Sequence, residues 1–144
     1  MSWVRVWVHL VFATKNREEF FTTIEIREQV FSHIKKYGLT KKIRIESIGG
    51  YKEHLHCLVL LGKEQNISNI VQLLKGESSH WINNQKYFEG KFYWQDDYYA
   101  NSVSESQLSK VRRYIENQEL HHKNNSFDDE LTKLQKLVFD DSEN

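Results

Sequence analysis

The sequence predicts an α+β fold: one antiparallel sheet with helices on one face. Three observations point to it. From Trp3 to Ala13 residues alternate between a greasy face and a mixed one, and alternation returns from Lys42 to Ile48 ahead of a further strand-like stretch, Lys52 to Leu61, as half-buried strands do. Apolar residues recur at helical spacing between and after these stretches. Ser/Thr residues followed three positions later by Glu or Gln stand where helices should begin.

In chain order, the first strand sets Val4, Val6, Val8, Leu10 and Phe12 on one side and Trp3, Arg5, Trp7, His9 and Val11 on the other. Thr22 and Glu25 read as a capping box, after which Ile26, Val30, Ile34 and Tyr37 form a helix face that Gly38 should end. Lys42 to Ile48, a turn at Gly49-Gly50, and Lys52 to Leu61 read as a hairpin. Ile67, Ile70, Val71, Leu74, Trp81 and Ile82 mark a second helix, with Gly76 a weak point inside it. Phe92 to Val103, dense in Tyr and Trp, is read as a fourth strand or an aromatic loop. A second capping box, Ser104 with Gln107, opens a third helix over about 105–122 through Leu108, Val111 and Ile115, and Leu131, Leu134 and Val138 suggest a last helix within 127–138. The order βαββαβ is the ferredoxin-like arrangement, here with an additional C-terminal helix bearing candidate catalytic residues. Residues 1–125 are expected to form one domain, and 126–144 an acidic helical tail.

Length and composition bound the possibilities. A chain of 17.3 kDa with 39% hydrophobic and 28% charged residues is one ordinary globular domain. Its longest apolar run, Leu58 to Leu61, is too short to span a bilayer, and the N-terminus has no signal-peptide pattern. A single cysteine, Cys57, excludes an internal disulfide and a multi-thiolate metal site, so a cytoplasmic protein is expected. Twenty basic and twenty acidic residues balance. Six acids and two lysines fall within 126–144, leaving 18 basic against 14 acidic residues, a net +4, for 1–125. Phosphate binding is therefore a matter of local patches: Lys35, Lys36, Lys41, Lys42 and Arg44 form one, and Lys110, Arg112 and Arg113 another, each equally readable as a solvated face.

Two constellations carry chemistry. His54 and His56, two apart on a strand, put both imidazoles on one face of the sheet, while Leu55, Cys57 and Val59 face the other way. Two neutral imidazoles so placed can hold one metal ion; packing of one and solvation of the other is the plain alternative. Tyr114 and Gln118, four apart, share a face of the third helix. Taken alone, that pair reads as an amphipathic boundary.

Together with their surroundings, these stretches resemble the HUH single-tyrosine transposases of the insertion-sequence 200/605 group, whose REP-associated relatives process hairpin repeats. The resemblance runs through His9 to Arg17, Glu53-His-Leu-His-Cys57, Ile70 to Ser79, Trp94 to Tyr98, Ser102 to Ser104 and Tyr114 to His122, in the family's order. Lys52-Glu53 stands where members commonly have Pro-Asp, and Asp97-Tyr98-Tyr99 where a glycine and a small residue are usual. The resemblance implies that Tyr114 is the nucleophile, that His54, His56 and Gln118 hold Mg²⁺ or Mn²⁺, and that single-stranded DNA with a hairpin is the substrate. A tyrosine attacking phosphorus gives a 5′-phosphotyrosine and a free 3′-hydroxyl, conserving the diester's energy for rejoining. The metal would act as a Lewis acid on the scissile phosphate. The family further implies a homodimer with composite active sites, one subunit's tyrosine serving the other's histidines.

Lys15, Arg17, Lys110 and Arg113 are candidate contacts to the DNA backbone, and Trp3, Trp7, Trp94, Tyr98 and Tyr99 candidate platforms for unpaired bases. His121 and His122 fit either the metal-facing side or a helix C-terminus. Competing readings are a domesticated relative acting on chromosomal hairpin repeats, a non-catalytic nucleic-acid-binding module of the same fold, and a small zinc hydrolase using His54, His56 and His122.

Overall fold

The computed structural model describes residues 1–118, 126–127 and 129–134. Four strands, β1 (Val6–Thr14), β2 (Arg44–Gly50), β3 (His54–Leu61) and β4 (Trp94–Val103), form one sheet in the order β2-β3-β1-β4, every neighbouring pair antiparallel. Helices α1 (Ile24–Thr40) and α2 (Ile67–Gln85) cover one face, and α3 (Leu108–Glu116) packs against β2 and β3. This is the ferredoxin-like arrangement the element order predicts, with a third helix added.

The period-2 pattern divides the sheet's side chains between two cores. Val8, Leu10 and Phe12 of β1 and Leu55, Cys57 and Val59 of β3 join Val30 and Ile34 of α1 and Ile70, Val71, Leu74 and Ile82 of α2. On the other face, Trp7 and Leu58 meet Leu108 and Ile115 of α3 in a smaller cluster. His54, His56 and His9 lie on that second face, which α3 only partly covers.

Several boundaries differ from the expectation. The first strand begins at Val6, and Met1, Trp3 and Val4 are exposed. Thr23 rather than Thr22 caps α1, its hydroxyl accepting the Ile26 N–H at 3.2 Å. Gly38 does not end α1; the helix runs to Thr40, and a Cβ at Gly38 would stand 3.0 Å from the Ile43 carbonyl oxygen, so glycine there lets the loop fold back against the helix. Gly49 and Gly50 belong to β2, and the turn closes at Tyr51, whose N–H donates to the His54 carbonyl. A Cβ on Gly49 would lie 2.1 Å from the Ile115 carbonyl oxygen, which makes glycine the condition for α3 to seat on β2. The Phe92–Val103 stretch is strand from Trp94. Ser104 opens a 3₁₀ turn, Glu105–Gln107, without the side-chain cap bond expected of it; its hydroxyl meets that of Ser106 instead. The expected extension of α3 through 119–122, including His121 and His122, lies outside the described residues. Residues 127 and 129–134 are helical, and the rest of the acidic tail lies outside the description.

Candidate active site

Strand pairing sets the histidines. Val11 of β1 faces His56 and Ala13 faces His54, so the small or slender β1 side chains leave both imidazoles room on the second face, while His9 stands opposite Leu58, beside His56. Both imidazoles are fully buried. Each has its Nδ1 engaged from behind: His54 Nδ1 lies 2.7 Å from Glu53 Oε1, and His56 Nδ1 lies 2.7 Å from His9 Nε2. Both Nε2 atoms then point to one place. His54 Nε2 is 3.1 Å from Gln118 Oε1 and 3.6 Å from a Glu130 oxygen, and His56 Nε2 is 2.7 Å from the other Glu130 oxygen.

The helix α3 brings Tyr114 to the same place, because Gln118, one turn on, stacks below it and donates through Nε2 to the Tyr114 carbonyl at 3.1 Å. The Tyr114 hydroxyl donates to Glu130 Oε1 at 2.5 Å, and its ring stands edge-on to His56, centroids 5.6 Å apart. Burial, then the hydrogen bond and charge of Glu130, hold the Tyr114 phenol well above its ordinary pKa, so it stays neutral near pH 7. Burial, with His56 beside it, lowers His9 to about 3, leaving a neutral imidazole to back His56.

His54, His56 and Glu130 offer ligand atoms within 4.8 Å of one another, all buried. The donor set suits a divalent ion: two imidazoles and a carboxylate, with the Gln118 oxygen adjoining. A buried carboxylate needs compensating positive charge, which a divalent ion supplies. Second partners on Nδ1 are the usual device for orienting metal-binding imidazoles.

The structure thus brings together His54, His56, Tyr114 and Gln118, which lie far apart in sequence. It adds two residues that sequence reasoning passed over. Glu130 sits among the acids of the expected helical tail, and nothing in its spacing singles it out. His9 was visible on the mixed face of β1, but its partner depends on strand register, which spacing does not reveal. Arg17 lies near the site, its guanidinium 5.7 Å from the Phe127 ring centroid, whereas Lys15 lies over Tyr93. Lys110 and Arg113 are exposed on α3. Trp7 and Trp94 are core residues, their indole N–H groups donating to Glu105 and Ser78, and so are not base platforms; Tyr98 and Trp3 are exposed, and Tyr99 is half-buried.

Such a site, a buried imidazole–carboxylate cluster that could hold a metal ion beside a tyrosine, sits on the open side of a small ferredoxin-like α+β protein. The chain belongs to the IS200-like transposase family, whose pattern, described as "Transposase IS200 like", matches residues 2–118. It is 31% identical over 116 residues to the transposase for insertion sequence element IS200 of Salmonella typhimurium, covering 76% of this chain and 74% of that protein, and equally to its Salmonella typhi counterpart. Its fold is similar to that of a protein of Deinococcus radiodurans described as a transposase, with a TM-score of 0.65 at 22% identity over 81% of this chain and 93% of the other. It is also similar to a REP-associated tyrosine transposase bound to a REP hairpin, with a TM-score of 0.62 at 17% identity over 85% of this chain and 72% of that one. Both likenesses speak for the fold. Among the described residues no helix is long and apolar enough to cross a membrane.

Proposed function

We propose that this transposase, working in the cytoplasm, cleaves and rejoins single-stranded DNA at hairpin-marked ends through a 5′-phosphotyrosine on Tyr114. The observation that carries the reading is the meeting of the Tyr114 hydroxyl, His56 Nε2 and Glu130 in one buried cluster. His54, His56 and Glu130, with Gln118 adjoining, would hold Mg²⁺ or Mn²⁺, which when bound supplies Lewis-acid stabilisation of charge on the phosphate. Tyr114 attacks phosphorus; the O–P bond forms, the bond to the 3′ oxygen breaks, and that oxygen takes a proton from solvent and leaves as a hydroxyl. Glu130, already accepting the phenol's hydrogen bond, is placed to take its proton. Glu53 and His9 keep both imidazoles aimed inward.

The resemblance extends the proposal to a homodimer. For its active sites, however, α3 packing favours a tyrosine serving its own chain's histidines: Leu108 and Ile115 are buried against the sheet that carries them.

The test is incubation with Mg²⁺ and single-stranded DNA taken from the flanks of the protein's own gene. A covalent protein–DNA adduct is expected, absent in Tyr114→Phe, in the His54→Ala, His56→Ala double variant and in EDTA, while Tyr114→Phe still binds the hairpin. An adduct of undiminished yield in Tyr114→Phe overturns the nucleophile assignment.

A further inference from the structure

Beside the cluster lies a cavity of about 580 Å³, floored by Val11 and Ala13 of β1. Its walls are aromatic and are shared with the active site. Phe127 lines it and also stacks on the His54 ring, centroids 4.1 Å apart; Tyr99 lines it and stands edge-on to His9 at 6.0 Å. Its rim is polar and planar: Asn16, Arg17, Gln95 and Asp97. The rim is also built rather than incidental. Asn16 and Arg17 both adopt the left-handed conformation, φ 56°, which costs a non-glycine residue energy and is kept where a structure needs it. The Asn16 N–H donates to Gln95 Oε1 at 3.3 Å, tying the two sides together. From the opposite side of the sheet, the Lys75 ammonium donates to the carbonyls of Gln95, Asp96 and Asp97 at 2.6, 2.9 and 3.2 Å, fixing the backbone that presents the rim side chains.

We propose that this cavity is a nucleobase subsite, taking the base of one unpaired nucleotide next to the scissile phosphate; the inference rests on the single-strand reading above. The volume suits a nucleoside. Tyr99 offers the base a stacking partner, Phe127, held against the His54 ring, closes the wall toward the active site, Arg17 offers the neighbouring backbone a charge, and Gln95 and Asp97 offer hydrogen bonds to the base edge. The Asp97 carboxylate only accepts, so it selects a base presenting an exocyclic amine, as cytosine and adenine do, over thymine. The cavity therefore makes cleavage selective at one position independently of the hairpin.

The experiment uses the full chain, Mg²⁺ and the cleaved flanking strand, randomised at each position around the cleavage point, with captured adducts sequenced. Wild type is expected to favour an amine-bearing base at one position, and Asp97→Asn to change that preference about tenfold while leaving the other positions alone. In a binding arm, Tyr114→Phe protein in EDTA should lose about tenfold affinity when that position is abasic, and adding Tyr99→Ala should abolish the difference. Adducts with the same sequence profile in Asp97→Asn, or an abasic penalty unchanged by Tyr99→Ala, overturn the subsite while leaving the transposase reading intact. No adduct from wild type overturns that reading and the subsite with it.

Discussion

Glu130 reaches His56 Nε2 at 2.7 Å with the same oxygen that receives the Tyr114 hydroxyl, so one carboxylate joins the imidazole pair to the phenol proposed as nucleophile. Glu130→Ala should therefore weaken Mn²⁺ binding by about tenfold to a hundredfold, the scale seen when a metal site loses a supporting group. Titration calorimetry on the folded variant reads this directly. A chain ending at residue 125 should share the defect, whereas one ending at residue 134 should not. Unchanged affinity in Glu130→Ala would leave Gln118 as the third ligand and the acidic segment as a bystander.

His9 acts through His56. Its neutral ring takes the Nδ1 side of His56 and so leaves Nε2 for the ligand position. His9→Phe retains the ring volume but not the bond, and is expected to weaken Mn²⁺ binding by about tenfold with little change in the thermal midpoint. His9→Asn, which keeps a polar partner, should recover part of the loss. A variant equal to wild type in metal affinity would reduce His9 to a packing residue.

Why the pair His54 and His56 was legible while Glu130 was not comes down to range. Alternation within one strand fixes which side chains share a face, and helical spacing ties Tyr114 to Gln118, so both constellations follow from local geometry. The contact from Glu130 to His56 depends on how a segment returns to the sheet after α3, and no local periodicity encodes it. Sheet order followed from the sequence of elements, but the Gly49 role did not: a glycine pair between two strands reads as a turn until the backbone of α3 is seen crossing it.

That crossing makes its own prediction. Gly49→Ala places a methyl 2.1 Å from a backbone oxygen, which cannot move as a flexible side chain would. The helix must lift, at a cost of about 1–3 kcal/mol, typical of overpacking. Denaturant unfolding should show that loss, and adduct formation should fall more than stability does, because Tyr114 and Gln118 ride on the displaced helix. Gly76→Ala, where a Cβ meets nothing within 4 Å, serves as the control and should stabilise α2 slightly.

Whether the two subunits of a homodimer trade tyrosines is decided by mixing. Tyr114→Phe lacks the proposed nucleophile and His56→Ala a proposed metal ligand, so each should be inactive alone. If the tyrosine helix were exchanged, a heterodimer would collect both lesions in one site and leave the other whole, with DNA attached to the His56→Ala chain. The exchange is what the family resemblance implies, and a helix that follows a finished βαββαβ unit is not obliged to pack on its own sheet. It does pack there: Ile115 is fully buried, its backbone lies against Gly49, and the Tyr114 hydroxyl meets the Glu130 that contacts His56 in the same chain. Separating these contacts would expose the Trp7, Leu58, Leu108 and Ile115 cluster unless a partner's helix refilled it. The expected outcome is accordingly no recovery of adduct in the mixture, with heterodimer formation verified by differently sized tags. Adduct on the His56→Ala chain alone would show instead that a partner's α3 takes this seat, with the same buried cluster closing between subunits.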